Sequence, residues 1–239
     1  MFVPTVSRAV SVPVSGSCLM LMLPMLAIAE GLVLERVAGA EPEQHWGEPL
    51  DLLQGDLSVS WEWFSVTEEP PVTDVWKLLP SSSPDTTELV CSGTPRGFLH
   101  TKKQYRDFDL QFEWRYASDP NGNSGVLVFT QDDARLWPTS VQIQLHQPLA
   151  GSVFPVGDAV TDATVRKEGL ARSVGEWNQC RIVSLSGTVV VHINGVKAGE
   201  VSGCRPDSGA IAIQSEGSEV HFRRMLLRLP RTSAPENAQ

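Results

Sequence analysis

The chain has 239 residues, 41% hydrophobic and 20% charged, with a formal net charge of −9 at pH 7. A mean hydropathy of −0.09 excludes a polytopic membrane protein, and the acidic excess repels phosphate backbones, so nucleic acid is not an expected partner. A single domain of this size buries about 70% of its unfolded surface, so folding requires neither a disulfide framework nor a metal.

Residues 1–29 read as a signal peptide. Arg8 precedes an uncharged run at 19–27, and Ala27-Ile28-Ala29 supplies small residues where a signal peptidase reads. The run is too short to cross ~30 Å of hydrocarbon and Pro24 interrupts it. Export to the periplasm or outside is therefore expected, with no membrane span after cleavage. Cys18 precedes the apolar run, the wrong order for a lipoprotein site. Residues 30–47 read as a linker, 48–231 as one domain and 232–239 as a flexible tail.

From Trp61 onward the signal is alternation. Phe108, Leu110, Phe112, Trp114 and Tyr116 fall on one side of an extended strand, with Asp109, Gln111, Glu113 and Arg115 on the other. Residues 126–129 are continuously apolar, as in a strand covered on both faces. Val141, Ile143 and Leu145 alternate with Gln142, Gln144 and His146. One short helical turn is expected within 162–172. Strands are expected over 182–185 and 188–193, and Asn194-Gly195 predicts a type I′ hairpin into 196–201, because both residues accept positive φ. Residues 210–214 and 220–229 close the domain. The apolar phase slips from Val220 and Phe222 to Met225, Leu227 and Leu229, which predicts a β-bulge near Arg224. Many short strands with Gly- and Pro-rich connections imply an all-β, antiparallel two-sheet sandwich. A jelly roll is the expected topology, although spacing does not separate it from an immunoglobulin-like sandwich.

Polar side chains repeated along one side of a strand face either solvent or a groove. If the strands carrying Glu113 and Arg115 and those carrying Gln142, Gln144 and His146 adjoin, their amides, guanidinium and carboxylate suit sugar hydroxyls, which need donors and acceptors together. Asp119, Asn121 and Asn123 alternate like the start of a calcium loop, but Ser124 stands where Gly is needed and Thr130 where a bidentate Glu is needed. A tight turn is expected there, with calcium binding the lesser alternative; no cofactor is expected, and no Cys-His spacing suggests zinc. Trp177 is a packing anchor or a sugar platform, and Glu216 a surface turn residue unless its turn rims a pocket. Cys91, Cys180 and Cys204 form one disulfide and a thiol, or three buried thiols. No G-x-S-x-G, H-E-x-x-H or Gly-rich phosphate loop is present, so serine-hydrolase, zinc-protease and nucleotide chemistry lack support.

Ordered segments then carry a resemblance. They run from Leu53-Gln54-Gly55-Asp56-Leu57 through Gly97-Phe98-Leu99-His100-Thr101, Tyr105-Arg106-Asp107-Phe108-Asp109-Leu110, Asn123-Ser124-Gly125-Val126, Trp137-Pro138 and Gly175-Glu176-Trp177-Asn178. Ile213-Gln214-Ser215-Glu216-Gly217 before Phe222-Arg223 completes them. Over roughly 50–230 the chain resembles the 3-keto-disaccharide hydrolase domain family, whose fold is concanavalin-like. It departs at Gln142, where similar members carry an acidic residue, at Phe129, where Arg or His is common, and at Arg224, where Asn is usual.

The resemblance implies cleavage of glycosides already oxidised at C3: a base removes the C2 proton, the enolate is stabilised, the C1 substituent leaves and water adds. On that reading Glu113 or Glu216 is the base with His146 the runner-up, and Arg115 steadies the enolate. Asn123, Gln142, Gln144 and Gln214 hold hydroxyls, and Trp177 stacks on a ring. A non-catalytic carbohydrate-binding module, favoured by Gln142, is the competing reading, and an exported protein-interaction domain a third.

Overall fold

The computed structural model describes residues 45–65, 67, 70–80 and 86–231. Residues 1–44 and 232–239, over which a signal peptide, most of a linker and a tail are expected, lie outside the described residues. The described chain is built of strands β1 (Leu50–Asp51), β2 (Trp61–Ser65), β3 (Trp76–Pro80), β4 (Thr87–Cys91), β5 (Gly97–Tyr105), β6 (Phe108–Arg115) and β7 (Gly125–Thr130). They continue with β8 (Ser140–Gln144), β9 (Val153–Val156), β10 (Asn178–Leu185), β11 (Thr188–Ile193), β12 (Val196–Val201), β13 (Gly209–Ser215) and β14 (Val220–Arg228). They form two antiparallel sheets. An eight-stranded sheet runs β12-β11-β10-β6-β14-β4-β3, with β1 paired to β14, and a six-stranded sheet runs β2-β5-β13-β7-β8-β9.

The core lies between the sheets. Phe108, Leu110, Phe112 and Trp114 of β6 meet Val126 and Val128 of β7, Val141 and Ile143 of β8, and Ile211 and Ile213 of β13. Each fully buried side chain of this kind contributes about 1.5–3 kcal/mol. Phe112 packs at 6.2 Å from Trp114 and 6.0 Å from Phe222, in tilted pairs. Cys91, Cys180 and Cys204 are buried free thiols. Burial pushes the Cys91 and Cys204 thiols up to about 11, which leaves them as packing groups rather than nucleophiles.

The turn chemistry follows the sequence. Asn194 and Gly195 have φ of 50° and 82° between the paired residues Ile193 and Val196, the type I′ geometry. Ser186 and Gly187, at φ 51° and 74°, repeat it between β10 and β11. Serine pays for the left-handed region where asparagine pays less. Ser186→Asn is therefore expected to raise stability by up to ~1 kcal/mol, read from the midpoint of urea unfolding. The bulge also forms: Arg224 has φ 52°, the β14–β6 register shifts between Arg223 and Leu226, and Met225 and Leu227 return to the core.

The turn expected within 162–172 is not helical. Val165 instead bridges Val153, exchanging backbone hydrogen bonds of 2.8 Å in each direction, so strand-like pairing wins over local helix formation. Short helices occur elsewhere: α1 (Leu57–Ser60), capped by Asp56 Oδ1 accepting from Ser58 N at 2.8 Å, and α2 (Val72–Val75). Trp46 bridges Pro230, and Gly47 N donates to Leu229 O, so the chain entering the sandwich is tied to the strand leaving it.

A second irregularity bears on the site. Between Ala210 and Ala212 of β13, β7 advances from Thr130 to Leu127, so β7 carries an extra residue. Phe129, by alternation with Leu127, belongs on the outer face; at φ 58° it turns inward and packs edge-on to Phe108 at 6.4 Å. A β-bulge re-aims side chains in this way.

Candidate functional site

The face of the six-stranded sheet turned away from the core is organised by strand register into rows. One row is Glu62, His100, Ala212, Leu127, Gln142 and Phe154, each opposite the next. The next row pairs Phe64 with Phe98, Phe98 with Gln214 and Gly125 with Gln144. The β13–β7 register brings Gln214 and Gly125 together between them. Phe98, Ala212, Leu127, Gln142 and Gln214 form a buried floor, while Phe64, His100, Phe154 and Gln144 are partly exposed along its walls.

Gly125 makes the amide pair possible. Gln214 Nε2 donates to Gln142 Oε1 over 3.4 Å, and a Cβ at position 125 would overlap Gln214 Oε1 and lie 3.1 Å from Gln142 Nε2. Gln214 is 1% exposed, yet its Oε1 has no hydrogen-bond partner. A buried amide oxygen left unpaired costs about 1–3 kcal/mol, which a hydroxyl donor would relieve. Gln144 is less free, since its Oε1 accepts from His146 N at 2.9 Å.

Continuing the same registers past the strand ends sets Arg96, Glu216, Asn123 and His146 in a third row. Leu145 N donating to Ser124 O and Gln147 N donating to Gly122 O carry the β7–β8 register into this row. Asn123 Oδ1 and Glu216 Oε2 are buried without partners. Burial raises the Glu216 carboxyl above its usual range, with the Arg96 charge opposing. The loop holding Asn123 is braced by Asp119, whose Oδ1 accepts from Asn121 N at 2.9 Å and whose Oδ2 accepts from Ser218 Oγ at 2.8 Å. Ser218 Oγ in turn accepts from Asn123 N at 3.1 Å. This is the expected tight turn. Among the described residues, no cluster of three or more His, Cys, Asp or Glu could hold a metal.

Glu113, Arg115 and Trp177 are a correction to the one-groove expectation, for they do not join this face. Glu113 and Arg115 lie on the outer side of β6, in the eight-stranded sheet, because β6 pairs with β10 and β14 and turns its aromatics inward. Glu113 accepts from Arg223 Nε at 2.6 Å and from Arg224 Nη1 at 3.2 Å. Arg115 Nη2 reaches Glu88 Oε2 at 3.4 Å. The Trp177 ring is covered by two guanidinium groups, Arg115 at 4.5 Å and Arg223 at 4.0 Å, and so is a cation–π partner rather than an open platform.

A model of the 3-keto-alpha-glucoside-1,2-lyase-like domain matches residues 61–228. The chain belongs to this family. Among solved structures, a proposed glycosyl hydrolase from Parabacteroides distasonis ATCC 8503 is similar at 21% identity and a TM-score of 0.56, over 76% of this chain and 99% of that one. A protein of unknown function with a galectin-like fold from Bacillus subtilis is similar at 10% identity and a TM-score of 0.53, over 79% and 100%. These likenesses establish the concanavalin- and galectin-type sandwich. A search of the curated proteins found no match.

Arg96 and His100, on the same side of the β5 chain, are residues that the reading of single strands passes over. His100 was findable, since it alternates with Phe98 against Leu99 and Thr101 along β5. Arg96 precedes the strand and has no periodic signal of its own. Apart from the amide face, a cavity of about 190 Å³ lies beside Leu57, Trp61, Val72 and Lys102. No helix among the described residues is long and apolar enough to cross a membrane.

Proposed function

We propose that this exported chain cleaves 3-keto-glycosides on the outer face of its six-stranded sheet. The observation that supports the reading most is Glu216: a half-buried carboxyl with a raised pKa and an unpartnered oxygen, in the row beside the Gln142–Gln214 amide pair. The ketone at C3 acidifies the C2 proton. Glu216 takes that proton and the electron pair forms an enolate, whose oxygen Arg96 faces. The enolate collapses to restore the ketone as the C1–O bond breaks, leaving a C1=C2 double bond, and His146 protonates the departing oxygen. Water adds across the double bond to complete a net hydrolysis. Glu216 and His146 are two strand spacings apart, roughly 10 Å at the backbone, with Asn123 between them. Ordinary glycosidase chemistry is unsupported, since it requires two carboxyls flanking the scissile bond.

Incubation with 3-keto-trehalose or a 3-keto-glucoside tests the reading; release of the C1 substituent is expected. Gly125→Ala drives a methyl group into the amide pair and is expected to abolish glucoside binding by calorimetry while the folded far-UV signal remains. Wild-type binding by Gly125→Ala would remove the amide pair from the site. Gln142 favours a second reading. An amide keeps hydrogen bonding but not proton transfer, so sugar binding with no product at any enzyme concentration would make the domain a non-catalytic carbohydrate-binding module.

A further inference from the structure

The binding face is divided chemically, and the division bears on what the sugar is attached to. On β8 stand the amides of Gln142 and Gln144, and Gln214 reaches them from β13 across Gly125. On the β2–β5 side the same rows continue as Phe64 and Phe98, with Ala212 and Leu127 as a floor. Phe64 and Phe98 are stacked, with ring centroids 5.0 Å apart and planes at 28°, and these residues form an apolar cluster of their own, separate from the main core. Gln214 faces Phe98 directly across one strand spacing, ~4.8 Å. A ring next to a hexose held at Gln214, on its β5 side, therefore meets the phenylalanines.

A second sugar placed there would surrender water from several hydroxyls and find His100, the distant Glu62 and, at the strand end, Arg96, too few partners for a full ring and so a net cost. A flat aromatic group loses nothing polar and gains ring contact with Phe64. We propose that the partly exposed ring of Phe64, backed by the buried Phe98, Ala212 and Leu127, forms an aglycone subsite, and that the substrate class is aryl glucosides rather than disaccharides. The inference rests on the site assigned above and deepens it. It also agrees with the sparse acid chemistry of the face: an aryl oxide, with a conjugate-acid pKa of about 10, departs with less help from a proton donor than an alkoxide does.

Calorimetric titration of the full chain with 4-nitrophenyl α-glucoside and with trehalose decides the matter without turnover. The aryl glucoside is expected to bind about tenfold more tightly, Phe64→Ala to erase that preference by weakening the aryl glucoside more than trehalose, and Phe64→Tyr to retain it. Phe64→Leu serves if the alanine variant does not fold. Equal or tighter trehalose binding, no measurable binding of the aryl glucoside, or an equal loss for both ligands in the folded variant would overturn the subsite. The 3-keto forms of both ligands separate the two readings. Failure to turn over either one ends the elimination mechanism, whereas the binding comparison judges the aglycone subsite by itself.

Discussion

Glu216→Gln is expected to lower turnover of a 3-keto-glucoside by ~10²–10⁴-fold, the range of a positioned general base, and at the same time to raise the melting temperature at neutral pH. Both follow from one fact. Burial lifts the Glu216 pKa above its ordinary 4.5, with Arg96 pulling the other way. The folded chain then holds this proton more tightly than the unfolded chain, so stability falls as pH rises from about 4.5 through the raised value and stays lower above it. Glutamine carries no such cost. The melting curves of parent and variant should converge below pH 4.5 and separate above the raised pKa, with the variant the more stable. The acid limb of kcat/KM should follow the same ionisation. Full activity in Glu216→Gln would transfer the base role to His146.

The largest loss of stability is expected on the opposite side of the sandwich. In the Glu113–Arg223 pair the side chains are 11% and 13% exposed, and Arg224 adds a second contact. Glu113→Ala leaves the Arg223 guanidinium pressed on Trp177 with its counter-charge gone. Breaking a buried pair from one side costs about 3–5 kcal/mol, measurable by urea unfolding. Glu113→Gln, which keeps one acceptor, should lose less and should leave kcat unchanged at saturating substrate. A folded Glu113→Gln variant without turnover would instead place the chemistry on the eight-stranded sheet.

These two carboxylates mark what the sequence discloses and what it withholds. Alternation over residues 108–116 and 141–146 is local, and so is the phase slip at Arg224; strands, turns and bulge were legible from them. Which sheet each strand joins is a long-range matter. β6 and β8 carry polar residues in the same pattern, but β6 pairs with β10 and β14 while β8 pairs with β7 and β9. That pairing puts Glu113 and Gln142 on opposite exteriors. The row of Arg96, Glu216, Asn123 and His146 is assembled from four strand ends, and although His146 continues the alternation of β8, only pairing register brings the other three beside it. Glu216 looked like a turn residue for that reason. Its distinguishing property, an unpaired oxygen in a half-buried setting, belongs to the assembled sheet.

Phe129 constrains any attempt to convert this domain toward its relatives. A cationic side chain installed at 129 would inherit a main chain that aims between the two layers, where it would meet Phe108 instead of a substrate. Shortening β7 by one residue would have to come first, so that the position points outward again. The extra residue in β7, and not the side chain alone, decides where position 129 points.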